Sequence, residues 1–357
     1  MAITRKAWKQ ELMLSLFKKE ATYDAGVTMS NANACGMSGF NLDVKWADEI
    51  KNDKGSVTNY EFGNTQEITN NRVELTYTEP ECKPNTLAGL GMLALGAITS
   101  TQDEALASYR HKITPVAHGM ALPSMQAEHL KGGLQYAYKG VKCNTLKLSG
   151  EAGGYAQLEA TLIGSGTRAT SATAMAAKIS ESWMKLSNCK VWMETGANIS
   201  LDATLTQALE NISNATPDTL HTRFKSFEWM WNNNLKPQDG FGGGGVYIDC
   251  DYGRRTQDLK FTLLFNDTTE LDYFTNQNPC AIEFDLKGAI IATGIGTDYY
   301  YGMHLIIPRF HLKEAPLPVG GVDEELTCDF ICECEEDGTN PAVILEVYSA
   351  QASYLAA

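Results

Sequence analysis

Alternating apolar and polar residues predict β-strands at two related places in the chain. The segments 72–77 and 260–265 each carry an apolar residue at every second position, the period of a strand with one buried face. A short helical candidate follows each of them, at 85–95 in the first half and at 268–277 in the second. The same strand-then-helix order therefore occurs twice.

The correspondence continues further along each half. The segment 145–148 is echoed by 309–312, and two more alternating strands are predicted at 156–163 and 326–334. A pair of glycines precedes each of these last two strands. The pattern predicts a mainly β protein in which the same order of strands and helix occurs twice.

A chain of 357 residues is long enough for two domains of ordinary size. We predict a first β domain at 1–170 and a second at 171–357, with the Ala-, Thr- and Ser-rich stretch 167–178 as the linker. The stretch 98–130 has no counterpart in the second half. It is predicted to be a surface insertion of the first domain.

The N-terminal segment 1–20 carries Trp8, Leu12, Leu16 and Phe17 at helical spacing, with charged residues between them. It predicts a short amphipathic helix, or an extended arm that becomes ordered against a neighbour. It lacks the apolar core and the cleavage site of a signal peptide, and no segment has the roughly 20 apolar residues of a transmembrane helix. The chain is therefore expected to be made in the cytoplasm and not to associate with membranes.

The charge balance argues against nucleic-acid binding. Lys and Arg number 29 against 43 Asp and Glu, a net charge of −14, and no basic run exceeds two residues. An acidic surface would instead let a polyanion pass without adhering. Solubility alone is the simpler explanation of the same balance.

The sequence contains no recognisable catalytic or cofactor-binding motif. No cofactor and no metal are expected. Cys328, Cys332 and Cys334 share the apolar side of a predicted strand, which is typical of cysteine packed in a core. His304 alternates out of phase with its apolar neighbours, so an exposed or interfacial position is predicted for it. The chain is not expected to be an enzyme.

Several segments spread along the chain resemble the major tail tube protein of long-tailed bacteriophages with flexible, non-contractile tails. The segments that carry the resemblance are 109–115, 122–124, 138–154, 162–166, 227–233 and 301–308. The resemblance implies two tandem tube-like β-sandwich domains, each with a short flanking helix, whose inner sheets join into one barrel around each ring. Stacked rings of this kind form the tube through which the genome leaves the virion.

Six-fold geometry in such a tube would need only three copies of a duplicated chain. We therefore expect trimeric, pseudo-hexameric rings, with hexamers as the alternative if one half is not a tube domain. The chain would reside in the virion tail, contact tape-measure and tail terminator proteins, and let DNA pass without specific binding. The N-terminal segment and the stretch 98–130 are candidates for contacts between rings.

The alternation of the strands and the charge of their residues predict that three acidic residues face the lumen of the tube: Glu159, Asp329 and Glu333. A second hypothesis stays open from sequence, namely a β-rich carbohydrate-binding or hydrolytic protein of the virion or cell surface. Such a protein would need a concave aromatic patch and, for hydrolysis, a pair of carboxylates.

Overall fold

The structure is a computed structural model of the chain. It describes residues 10–53, 65–178, 181–195, 218–219, 222–241, 244–265, 269–296, 298–315, 326–336 and 338–356. Trp8 and the glycine pair 320–321 lie outside the described residues. So do parts of the predicted N-terminal segment.

The described residues are mainly β, as the alternation predicts. The strands of the first half are β1 (Gln10–Leu14), β2 (Cys35–Gly36), β3 (Asn41–Trp46), β4 (Glu49–Asp53), β5 (Thr65–Asn70), β6 (Val73–Glu79), β7 (Gly96–Gln102), β8 (Tyr109–Pro115), β9 (Met125–Lys131), β10 (Leu134–Glu151), β11 (Gln157–Gly164) and β12 (Arg168–Thr170). Those of the second half are β13 (Cys189–Thr195), β14 (Asp218–Thr219), β15 (Phe224–Asn232), β16 (Leu235–Gln238), β17 (Asp249–Tyr252), β18 (Thr256–Leu264), β19 (Cys280–Thr293), β20 (Asp298–Glu314), β21 (Thr327–Cys334) and β22 (Ile344–Ser349). The helices are α1 (Pro84–Leu95) and α2 (Thr269–Thr275), with a 3₁₀ turn at Leu186–Asn188.

Eight of these strands form one continuous antiparallel sheet. Its spatial order is β3, β6, β11, β10, β15, β18, β21, β20. The last four strands repeat the order of the first four, with β15 in the place of β3 and β20 in the place of β10. We call these the first and the second four-strand set.

The two long strands β10 and β20 extend beyond this sheet into a second layer. The first part of β10 pairs with β9 and β12, and β9 in turn pairs with β1. The first part of β20 pairs with β19 and β22, while β22 pairs with β8 and β8 with β7. The main hydrophobic core draws residues from both halves of the chain.

The two helices follow β6 and β18, at the predicted places. Every residue of α1 is buried, and an added Cβ at Gly89 or Gly91 would meet Leu16 or Leu345 at 2.8 Å. Glycine ordinarily weakens a helix by about 1 kcal/mol relative to alanine. Here the missing side chains let α1 lie close to its neighbours, so packing offsets that cost.

The predicted N-terminal amphipathic helix is wrong where the segment is described. Residues 10–14 form strand β1, which pairs with β9 of the same chain. Leu12, Met13 and Leu14 are all buried. Three consecutive buried residues give neither a strand period nor a helix period, which is why the pattern misled.

The stretch 98–130 forms strands, and its assignment as an insertion of the first domain stays a prediction. Strands β7 and β8 pair with each other, and β8 joins the sheet through β22. Most of β9 also belongs to this stretch and lies between β1 and β10. Its role in contacts between rings stays a prediction.

Among the strands of the described residues, pairing crosses the predicted domain boundary at two places. β10 pairs with β15, and β8 pairs with β22. The division into 1–170 and 171–357 stays a prediction, and the two halves share sheets as well as core.

Candidate assembly site

One face of the eight-stranded sheet is apolar and buried, and the other is polar. In β11, Leu158, Ala160 and Leu162 are buried, whereas the residues between them are partly or fully exposed. β21 alternates in the same way, with Cys328, Phe330 and Cys332 buried. The cysteines at 328 and 332 are core residues as predicted, and Cys334 is half-buried.

Strand register connects the polar face across the whole sheet. Paired residues of adjacent antiparallel strands lie side by side on one face. One such row crosses all eight strands through Asn41, Thr78, Glu159, Lys147, Met230, Asp258, Glu333 and His311. Two of the three predicted acidic residues, Glu159 and Glu333, therefore belong to the same row.

The third predicted residue, Asp329, lies on the same face. It is exposed, pairs with Thr262 of β18, and accepts a hydrogen bond of 2.7 Å from the Thr262 hydroxyl. The structure thus brings Glu159, Asp329 and Glu333 to one surface turned away from the core. Whether that surface lines a lumen depends on assembly.

The polar face also carries lysines, which the sequence prediction overlooked. Lys147 Nζ lies 2.8 Å from Glu228 Oε2 and 3.7 Å from Glu159 Oε2. Lys260 Nζ lies 3.9 Å from Glu228 Oε1. The hydrogen bond to Glu228, reinforced by the charge of Glu159, raises the pKa of Lys147. The face is a mixed-charge surface with an acidic excess, not a uniformly negative one.

The junction between the two four-strand sets is tightly packed. Leu148 of β10 pairs with Trp229 of β15, and both are buried. The buried Asn233 side chain donates hydrogen bonds to the carbonyls of Ala94 and Cys143, at 2.8 and 2.9 Å. It also accepts one of 2.9 Å from Trp231 Nε1. Asn233 thus ties the end of β15 to α1 and β10.

The outer edge of β3 carries no neighbouring strand among the described residues, since β3 pairs with β6 alone. Gln10 Nε2 donates to the Leu42 carbonyl at 3.2 Å, so this carbonyl points away from β6. The Val44 peptide groups point the same way, because alternate residues of a strand share an edge. A cleft of about 220 Å³ opens between β3 and the β9–β10 hairpin.

Within the described residues, no group of three or more His, Cys, Asp or Glu side chains is placed to hold a metal ion. No helix of the described part is long and apolar enough to cross a membrane.

Comparison with known protein families gives one decisive match. The model of the family described as phage tail tube protein matches residues 16–332. The chain belongs to the phage tail tube protein family. Tail tube proteins of this family are structural components of the virion tail rather than enzymes, and they assemble with copies of themselves into a tube. No curated protein matches the chain at a significant level.

The family match confirms the resemblance to phage tail tube proteins seen in the sequence. It gives no support to the carbohydrate-binding or hydrolytic alternative. Sequence analysis missed the lysines of the face and the bonds of Asn233. Lys147 and Lys260 alternate with buried residues, and this alternation could have revealed that they lie on the polar face. Asn233 lies in a run of three asparagines, which is typical of an ordinary turn.

Proposed function

We propose that three copies of this tail tube protein form a ring with pseudo-sixfold symmetry, and that stacked rings form the tube of a flexible, non-contractile tail. The observation that carries the proposal is the repeated strand order, in which β15–β18–β21–β20 follows β3–β6–β11–β10 in one sheet. Each chain would contribute two tube-like domains, and three chains would contribute six.

The in-chain junction supplies the pattern for the junction between chains. Inside the chain, β10 of the first set pairs with β15 of the second. At the ends of the sheet, β20 stands in the place of β10, and β3 stands in the place of β15. Pairing the end of β20 with the outer edge of β3 in the next copy would repeat the in-chain junction and close the ring without free edges.

The size of the resulting barrel favours three copies. Three eight-stranded sheets bring 24 strands. With strands about 4.8 Å apart and tilted by about 40°, such a barrel has a backbone diameter of about 48 Å. Six copies would double the diameter to about 96 Å. The smaller barrel suits the passage of a single DNA duplex, and the larger one would leave most of the lumen empty.

The polar face would line this lumen, because the apolar face is already covered by the core. Glu159, Asp329 and Glu333 would then repel the DNA phosphates during ejection into the host, while lysines such as Lys147 stay paired with carboxylates. DNA would pass without specific binding. Tape-measure and tail terminator proteins are the expected partners inside and at the end of the tube, and synthesis would occur in the host bacterial cytoplasm.

The mass of a single ring tests the proposal. Purified protein is brought to assembly, and rings are measured by native mass spectrometry and imaged by negative-stain electron microscopy. We expect rings of three chain masses with six similar lobes. Rings of six chains would contradict the trimer, and a protein that stays monomeric at all concentrations would contradict assembly into a tube by this chain alone.

A further inference from the structure

Each four-strand set carries a two-stranded hairpin beyond its sheet. β4 and β5 extend the pair β3–β6 and form what we call arm A. β16 and β17 extend the pair β15–β18 and form arm B. The arms therefore occupy corresponding positions in the repeated strand order.

Arm B lies on the first four-strand set, across the start of β6. Arg72 Nη2 lies 2.6 Å from Asp239 Oδ1, and the guanidinium group lies 3.9 Å from the ring centre of Tyr247. The Asn71 amide donates to the Gly245 carbonyl.

Two further contacts hold arm B at the end of β11 and at β10. The Tyr247 amide donates to the Ser165 carbonyl at 2.8 Å. Lys142 Nζ lies 3.1 Å from Asp249 Oδ1 and donates to the Cys250 carbonyl at 2.7 Å. Burial acts to raise the pKa of Asp249, but the hydrogen bonds from Cys250 and Lys142 outweigh it, so the pKa is lowered. Arm B is thus docked by backbone bonds, an aromatic contact and two ion pairs.

The corresponding place on the second four-strand set is an open groove of about 1070 Å³. Its walls include the start of β18, the end of β21 and Lys313 of β20. The first two are the counterparts of the start of β6 and the end of β11, which hold arm B. Apolar surface from Ile331 and Ala342 lines the groove beside charged groups such as Glu336.

We infer that this groove binds arm A of a neighbouring copy of the chain. The inference rests on the ring proposed above and deepens it. Within one chain, arm B extends from the β10–β15 junction onto the first four-strand set. In the same way, arm A extends from the corresponding junction between chains onto the second four-strand set of the neighbouring copy. Arm A carries an exposed apolar side chain that is available for this contact, since Ile68 of β5 is 52% exposed in the single chain.

Crosslinking from position 68 tests the inference directly. A photoreactive amino acid is placed at Ile68, rings are assembled and irradiated, and crosslinked peptides are identified by mass spectrometry. We expect crosslinks between chains to peptides spanning 252–258 or 331–342. Assembled rings whose crosslinks from position 68 lead elsewhere, or that give none, would overturn the groove while leaving the ring intact. Failure to form any ring would instead overturn the proposed function.

A substitution provides a second measurement. Ile68→Asp is expected to raise the protein concentration needed for assembly at least about tenfold. Burial of an isoleucine side chain stabilises a contact by more than the free energy that corresponds to a tenfold change in affinity. The melting temperature of the unassembled chain should not change, since the side chain is exposed there. Ile68→Leu is the matched control and should assemble like the wild type. Equal assembly of the Asp variant would contradict the inference.

Discussion

At the scale of single residues, alternation correctly predicts which residues are buried only where one face of a strand is exposed to solvent. Glu159, Asp329 and Glu333 lie on the exposed face of the sheet, as their spacing indicates. The predicted exposed or interfacial position of His304 is wrong, because the residue is only 1% exposed. The middle of β20 is covered on both faces, so residues of either phase are buried there.

The surroundings of His304 explain how a polar side chain is accommodated inside the core. Its Nε2 lies 2.8 Å from Asp285 Oδ1, and its Nδ1 lies 3.4 Å from Glu283 Oε1. Burial acts to lower the pKa of His304, but the bond with Asp285 and the nearby charges of Glu283 and Glu346 raise it. Burial raises the pKa of Glu346, and Tyr348 donates to it.

The stability of the unassembled chain should therefore depend on pH through this cluster. A raised histidine pKa adds stability that is complete below the ordinary value of 6.5 and is lost as pH rises through the folded pKa. The raised pKa of Glu346 acts in the same direction, because its contribution is present below 4.5 and is lost at higher pH. Urea unfolding should show a free energy that decreases from pH 6.5 upward.

His304→Gln tests the assignment. The variant should lose about 3–5 kcal/mol at pH 6, because it leaves buried carboxylates without their cationic partner. Its free energy of unfolding should also depend less on pH above 6.5. His118→Gln, at an exposed position, is the control and should keep the wild-type profile. An unchanged profile in the His304 variant would show that another group titrates.

Asn233 offers a second test at this scale. Asn233→Ala removes three buried hydrogen bonds, including the one that the buried Trp231 N–H donates. We expect a loss of about 2–4 kcal/mol in the free energy of unfolding, measured with urea. Asn232→Ala, at the half-buried neighbouring position, should cost less than about 1 kcal/mol. Similar losses in both variants would contradict the role of Asn233 at the junction.

At the scale of elements, strands and helices were predictable where the pattern is regular and local. The helices α1 and α2 lie after β6 and β18, as expected. The failure is β1, because Leu12 and Leu16 stand at a helical spacing although residues 10–14 form a strand. Local pattern cannot show that β8 pairs with β22.

The outer edge of β3 gives a prediction at this scale. Val44→Pro removes an N–H that points away from β6, so it should block strand addition while keeping the β3–β6 pairing. Ring formation, followed by size-exclusion chromatography and electron microscopy, should be lost. Val44→Ala reproduces the reduced packing without removing the N–H and should still form rings. Rings formed by the proline variant would exclude this edge from the contact.

At the scale of the whole molecule, the repeated strand order matters more for the proposed assembly than any single residue. One sheet that contains the same four-strand order twice, with an open edge at β3, is suited to assembly by strand pairing. The polar row of this sheet would then run around the inside of the ring. Its mixed charge keeps the surface wet, and its acidic excess disfavours DNA binding.

Charge reversal on the polar face tests its orientation. Tubes assembled from the triple variant Glu159→Lys, Asp329→Lys and Glu333→Lys should retain DNA at low salt, and retention should fall steeply as salt is raised. Wild-type tubes should retain none in the same co-sedimentation assay. The same change at Glu104, Asp251 and Asp272, which are exposed and off this face, should have a smaller effect inside the tube. Equal retention by both variants would place the polar face outside the lumen.

The sequence by itself determined the β-rich class, the buried and polar faces of strands such as β11 and β21, the places of both helices, and the resemblance to tail tube proteins. These features depend on the order of nearby residues, which the chain carries explicitly. The tertiary structure decided which strands are neighbours, where His304 is buried, how Asn233 joins β15 to β10, and where arm B rests. Such features depend on contacts between residues far apart in the chain, and a local period of two or 3.6 residues does not encode them.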